Sequence, residues 1–189
     1  AIRPETEGGW SYDTASGRRQ SPKLVLAMGA WSAQLLKPLG IRIPLEAERG
    51  YHVSFADPGV RLNHSVMDMD MKFVASSMEE GLRVAGTAEF AGLDAPINQK
   101  RLDGLAKLGK NLLPGLSSGK ISTWSGQMPS LPDTLPCLGE LDGFPDLIAA
   151  FGHSPHGLMM APKTGRIVAD IAAGVAANID LTPYSPTRF

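Results

Sequence analysis

The chain has 189 residues, with 18 Lys plus Arg against 19 Asp plus Glu and a net charge of -1, so it can bury a core and carries no electrostatic footprint for nucleic acid or an acidic membrane surface. A single cysteine, Cys137, excludes an internal disulfide and most cysteine-based metal frameworks, and fits a reducing compartment. No stretch reads as a signal peptide or reaches transmembrane length, and 21 glycines with 15 prolines imply many turns and short strands. The first residue is Ala1, inside a strand-and-turn pattern, so a fragment of a longer protein is expected.

In chain order, Trp10 to Thr14 reads as a short strand, Ala15-Ser16-Gly17 as a turn, and Lys23 to Met28 as an apolar strand of buried type. Gly29 ends that strand, and Ala30 to Leu39 has helical composition until Pro38 and Gly40. No G-x-G-x-x-G and no phosphate-loop motif occurs, so the main pyrophosphate loop of any dinucleotide site is expected outside this sequence. The middle is β-rich. Pro44 to Phe55 is extended, and Ser65 to Asp70 alternates, which places Asp68 and Asp70 on one strand face toward solvent. Met78-Glu79-Glu80-Gly81 is a hairpin turn between Lys72–Ser77 and Leu82–Gly86. Asn98 is an N-cap for a helix with Leu102, Leu105, Leu108 and Leu112 on one stripe, ended by Pro114-Gly115. Lys120 to Gly126 returns to strand, and Pro129 to Pro136 is a proline-stiffened loop.

The segment Leu147 to Pro162 organises the chain. An apolar run of strand length breaks at Gly152, passes a polar turn bracketed by Gly157, and enters a long helix with Pro162 in its first turn. A strand, a glycine-bounded turn and a helix N-terminus can receive a polar or anionic group, because the first amides are unpaired and the dipole is positive there. Many such turns in α/β proteins bind nothing. His153 and His156 form an H-x-x-H pair in a proline-containing turn without a third ligand at familiar spacing, so no metal is assigned. Tyr51 reads equally as a substrate hydroxyl contact or as sheet packing, and Trp31 and Trp124 as core or as cofactor contacts. Residues 178–189 form a polar, proline-containing tail.

Several segments fall in the order of one known pattern. They are Val25-Leu26-Ala27-Met28-Gly29-Ala30-Trp31-Ser32, Arg49-Gly50-Tyr51-His52, Gly81 to Phe90, Trp124-Ser125-Gly126, Leu131 to Pro136, Gly152-His153 to Gly157-Leu158, and Thr164-Gly165-Arg166. Together they resemble the C-terminal half of FAD-dependent D-amino-acid dehydrogenases, within the D-amino-acid oxidase and glycine oxidase superfamily. The resemblance implies an α+β fold in which a mainly antiparallel substrate-binding cap domain with a helix, residues 43–130, is flanked by remnants of an FAD-binding α/β domain, residues 1–42 and 131–189. It implies FAD contacts at Ala27, Gly29, Trp31, Gly126, Gly152, His153, Gly157, Leu158 and Met159, with the Gly152–Met159 turn at the flavin's pyrimidine edge. Substrate contacts are implied at Tyr51, His52, Met128 and His153, and no catalytic acid or base is assigned.

The implied activity is hydride transfer from the Cα of a D-amino acid or related amine to FAD, giving an imine and then a keto acid and ammonia. An FAD-dependent hydroxy-acid oxidoreductase and a non-catalytic binding or electron-transfer subunit are the alternatives. The expected partners are a small amino acid or amine, an N-terminal dinucleotide-binding segment without which the isolated chain is inactive, and oxygen, a quinone or the respiratory chain as electron acceptor. A cytoplasmic location is expected, with peripheral attachment to the inner face of the cell membrane as the alternative. One departure stands out. The pattern carries arginine before Pro129 to pair with a substrate carboxylate, and this chain has Met128, leaving His153, Arg49 or Arg83 as replacement cations.

Overall fold

The computed structural model describes residues Ala1–Phe189. In chain order the elements are β1 (Ile2–Pro4), β2 (Trp10–Thr14), β3 (Gly17–Ser21), β4 (Leu24–Leu26), α1 (Ser32–Leu36), β5 (Glu46–Phe55), β6 (Val66–Asp68) and β7 (Phe73–Met78). They continue with β8 (Gly81–Phe90), α2 (Gln99–Leu112), β9 (Ile121–Ser130), β10 (Cys137–Leu141), β11 (Phe144–Phe151) and α3 (Gly157–Ala172). The chain divides into two compact units, Ala1–Ala47 with Met128–Phe189, and Glu48–Gln127. Both divisions interrupt a continuous strand, which composition does not mark; the sequence pattern places its boundaries at 42/43 and 130/131 instead.

The first unit holds two three-stranded sheets. In β1-β2-β3 the β2/β3 hairpin closes at Thr14↔Gly17, where the Thr14 hydroxyl donates to the Gly17 carbonyl at 2.7 Å. The second sheet, β10-β11-β4, combines an antiparallel hairpin with a parallel pair in the register Leu147↔Leu24, Ile148↔Val25 and Ala149↔Leu26. Trp10, Leu26, Leu36, Leu131, Cys137, Leu147 and Phe151 fill the core, and the Trp10 indole donates to the Pro145 carbonyl at 3.0 Å. Lys23 pairs with Asp146 at the start of the parallel ladder. The Arg188 guanidinium clamps the 131–136 loop: it donates to Asp133 Oδ2 at 2.7 Å and Oδ1 at 3.2 Å, to the Leu135 and Pro136 carbonyls, and reaches Cys137 Sγ at 3.5 Å. The tail is therefore anchored, through a bidentate contact that its polar composition does not reveal.

Several expected elements move. The strand expected over Lys23–Met28 shortens to β4, an edge strand whose Val25 is 41% exposed, so it is not of the doubly buried type. β9 runs on to Ser130, so the proline loop starts two residues late; Pro129 is tolerated because β9 lies at a sheet edge, where a missing N–H breaks no ladder. α3 begins at Gly157, five residues ahead of Pro162, which sits inside the helix and leaves the Leu158 carbonyl without its i+4 donor. β1, β3 and β10 are additions.

The second unit is built on the sheet β6-β7-β8-β5-β9. The β7/β8 hairpin closes at Met78↔Gly81 around Glu79-Glu80. Tyr51, Val53, Phe55, Phe73, Ala75, Leu82 and Val84 face α2, whose Leu102 and Leu105 are buried among them. Asn98 occupies the N-cap position but caps nothing with its side chain, which instead donates to Glu89 at 3.1 Å. β6 stops at Asp68, whose Oδ1 accepts from the backbone N–H of Asp70 at 3.0 Å and Met71 at 2.8 Å; the Asp68 carboxylate thus caps a turn that holds Asp70, and the two do not share a strand face. No helix is long and apolar enough to cross a membrane. Replacing the buried Leu105 by Ala is expected to destabilise this unit by about 2–5 kcal/mol, read as a lower urea midpoint at unchanged m-value.

Candidate functional site

In the first unit, parallel pairing of β4 and β11 brings two strand-to-helix turns side by side at the carboxyl ends of the strands, the usual ligand position in α/β sheets. One turn leads from Ala27 and Met28 through a 3-10 turn at Gly29–Trp31 into α1; the other leads from Gly152 and His153 through Ser154–His156 into α3. Ala27, Gly29, Trp31, Gly152 and His153 lie in these two turns, and Gly157, Leu158 and Met159 open α3 directly after the second. Gly152 has φ 88°, a left-handed backbone that strains any other residue, and a Cβ there would stand 2.5 Å from Leu131 Cδ1, so the Leu131 side chain would have to shift. Ser154 holds a left-handed φ of 51°, and its buried Oγ has no hydrogen-bond partner; the buried Ser32 Oγ, just after the first turn, has none either. An unmade bond on a buried hydroxyl costs about 1–3 kcal/mol, and both of these stand where β4 and β11 run out. Leu158 is 93% and Met159 75% exposed, an apolar rim around that polar floor.

His153 is tied down within this turn by a 2.9 Å hydrogen bond between its Nε2 and the buried Thr164 hydroxyl, one helical stretch away. Burial lowers its pKa below the usual histidine value, so the ring is neutral at neutral pH. Spacing alone could not reveal this partner, because His153 and Thr164 meet only after α3 has formed. His156 is exposed, and no group of three or more His, Cys, Asp or Glu side chains stands together for a metal ion.

In the second unit, the side of the sheet away from α2 carries His52, Ser54, Arg83, Ser122 and Trp124 around an open groove of about 510 Å³, with Thr123 and Glu80 also lining it. The Trp124 indole stacks on the His52 ring at 5.0 Å and 12°. It also lies flat over Gly126, where a Cβ would be 2.1 Å from Trp124 Cη2, so any side chain at 126 would lift the indole off the sheet. Alternation along β9 gives Trp124, Gly126 and Met128 one face and Ser125 and Gln127 the other. Trp124 is thus neither core nor isolated: it is 54% exposed and presents a ring face. Desolvation first, and then the Arg83 charge, lower the His52 pKa, so this ring too is neutral at neutral pH.

Tyr51, next to His52 in sequence, points the opposite way. It is buried against α2, its hydroxyl donates to Glu89 and accepts from the Asn98 N–H at 3.2 Å, and the structure does not bring it to the groove. Glu89 also accepts from Arg101 Nε at 3.0 Å; the Tyr51 hydroxyl, then Asn98 and Arg101, hold its carboxyl below the usual range. Arg49 is consumed in the same layer, its guanidinium buried and donating to the carbonyls of Pro96 at 2.8 Å, Gly92 at 3.3 Å and Leu93 at 3.4 Å.

Residues 1–171 match the family model described as DAO, FAD dependent oxidoreductase. A D-amino-acid oxidase of Bradyrhizobium diazoefficiens is 42% identical over 180 residues, which cover 93% of this chain and 43% of that protein. Among solved structures, glycine oxidase from Geobacillus kaustophilus superposes with a TM-score of 0.85 at 26% identity, covering 100% of this chain and 51% of that one. Iminodiacetate oxidase from Chelativorans sp. BNC1 gives 0.82 at 25%, covering 98% of this chain and 52% of that one. The chain therefore spans about half the length of the proteins it matches.

His153 and His52 both have folded pKa values below the ordinary histidine value, so each favours folding above about pH 6.5 and opposes it as the pH falls toward the folded value. The melting temperature is expected to fall as the pH drops below about 6.5. In His153→Gln, whose amide can still bond Thr164 but does not titrate, calorimetry should show a smaller part of that fall.

Proposed function

The chain belongs to the DAO family of FAD-dependent oxidoreductases, and from that premise we propose that it forms the flavin-edge and substrate-facing part of an enzyme oxidising the Cα–N bond of an amino acid or related amine. FAD, when bound, would supply the hydride acceptor, and water would hydrolyse the imine left behind, to a keto acid and ammonia where the substrate is a primary amino acid. The observation that carries the reading is the unpartnered, buried Ser154 hydroxyl, held at a strained φ between Gly152 and the start of α3. A flat, polar-edged ring fits there. Ser154 and Ser32 supply bonds for it, the α3 amides offer positive potential where charge gathers on reduction, and neutral His153 adds no competing charge. Leu158, Met159 and Trp31 shield the rim from water. In this proposal Ala27, Gly29 and Gly157 are approach points for the cofactor, and residues 48–127 are the substrate-binding part.

The relatives oxidise amino acids that differ widely: a D-amino acid, glycine and iminodiacetate are named for them. Met128 argues that this chain's substrate also differs from a simple D-amino acid. A thioether cannot pair with a carboxylate, and it favours an apolar group in the space where arginine would stand. A dinucleotide-binding segment is part of the proposal, because the chain has no glycine-rich pyrophosphate loop.

Anaerobic bleaching of the visible flavin band, with the chain held in excess FAD alongside a family dinucleotide-binding segment, tests the reading. Amino acids or amines should bleach the band; bleaching by hydroxy acids alone would overturn the assignment. The chain by itself is expected to be colourless after desalting. Ser154→Ala should weaken FAD binding about fivefold, the worth of roughly one hydrogen bond. Met128→Arg should raise turnover of D-alanine relative to wild type, and no gain would remove Met128 from the carboxylate position.

A further inference from the structure

Three cations stand as possible partners for a substrate carboxylate once position 128 is methionine, and the geometry separates them. Arg49 is buried and spends its N–H groups on three backbone carbonyls. His153 is neutral and bonded to Thr164. Arg83 is different. It lies on β8 between Ser54 of β5 and Ser76 of β7, on the sheet face opposite Leu82 and Val84, and its Nε is buried without a hydrogen-bond partner. Neither neighbour competes for it strongly: Ser76 bonds Ser65 at 2.7 Å, and Ser54 carries only a hydroxyl. That atom is closed off, so a carboxylate in the groove Arg83 lines meets the guanidinium at its terminal N–H groups.

The same groove has an apolar side. Trp124 stacked on His52 makes a flat platform that Gly126 keeps pressed to the sheet. Charge at one end and a ring surface at the other select a molecule with both parts. We propose that the Arg83–Trp124–His52 groove is the acid-recognition site of this chain, taking carboxylates that bear an aromatic or flat apolar group, with Arg83 on the carboxylate and the indole on the ring. Glu80, the one carboxylate lining the groove, then discriminates against a second negative charge on the ligand. The biological role, selection of an aromatic amino acid or its N-substituted derivative, rests on the amine-oxidising reading above; the binding itself does not.

The test is therefore made on the 189-residue chain without flavin. Phenylacetate is titrated while the Arg83 Nε–H resonance and tryptophan fluorescence are followed, with 2-phenylethanol and phenethylamine as the neutral and cationic counterparts. Phenylacetate should saturate and shift the Arg83 resonance, and each counterpart should bind at least about tenfold more weakly. Arg83→Met should lose about tenfold or more in phenylacetate affinity, whereas Arg83→Lys, which keeps the charge and guards against a folding artefact, should retain part of it. Gly126→Ala should weaken binding by tilting the indole. Absence of saturable binding, equal binding of 2-phenylethanol, or unchanged affinity in Arg83→Met would each overturn the proposal. Failure of amines to bleach flavin would sink the enzyme reading and leave this groove standing, so the two fail separately.

Discussion

The three-residue parallel ladder between β4 and β11 is the constraint on which the first unit depends. Leu24–Leu26 is too short to be stable alone, and it is held by Leu147–Ala149 on one side and by the Lys23–Asp146 pair at its start. Because the pairing is parallel, both strands run out at the same end. Two turns separated by more than a hundred residues are thereby made neighbours, and each opens into a helix. An antiparallel pairing of the same strands would have sent the glycine turns to opposite ends and left no common floor for a ligand. Ser154 and Ser32 come to the same end of the sheet only through this placement.

In the second unit the equivalent constraint is the two-residue period of β5 and β8. It sends Arg49 and Tyr51 into a buried polar layer under α2 and His52 with Ser54 to the open face. The layer is fully used: Glu89 collects Tyr51, Asn98 and Arg101, and Arg101 also donates to Thr87 at 2.7 Å. Such a network fixes the register of β8 against α2, since a one-residue slip would strand every member. The open face can then carry a groove whose rings and charges need not hold the sheet together.

Much of this was legible in residues. The α2 stripe, the Glu79-Glu80 hairpin, the β2 strand and the Gly152 turn follow from periodicity and glycine placement. Other features were hidden for physical reasons. Asp142-Gly143 is a hairpin signal that gives β10 its partner, with Gly143 at φ 77° and Leu141↔Phe144 closing the turn, yet it stood beside a proline-rich loop that masked it. Pro162 read as a helix start because local rules favour it there, but the helix begins earlier, where the 3-10 turn delivers the chain. Tyr51 and His52 have equal claims in sequence, and only the identity of the buried face separates them. The state of Arg83 is a matter of what is absent around it, which no pattern of residues encodes.

The Arg188 clamp has a consequence for how the polypeptide comes into being. The loop it locks contains Asp133, and the partner lies 55 positions downstream. During synthesis at the ribosome that loop emerges with nothing to grip Asp133, and β10, β11 and α3 must all follow before the guanidinium arrives. Gly152, which receives Leu131, is made in the interval. The turn is therefore shaped before it is latched, leaving the nascent chain a period in which the loop that meets Gly152 is still unclamped.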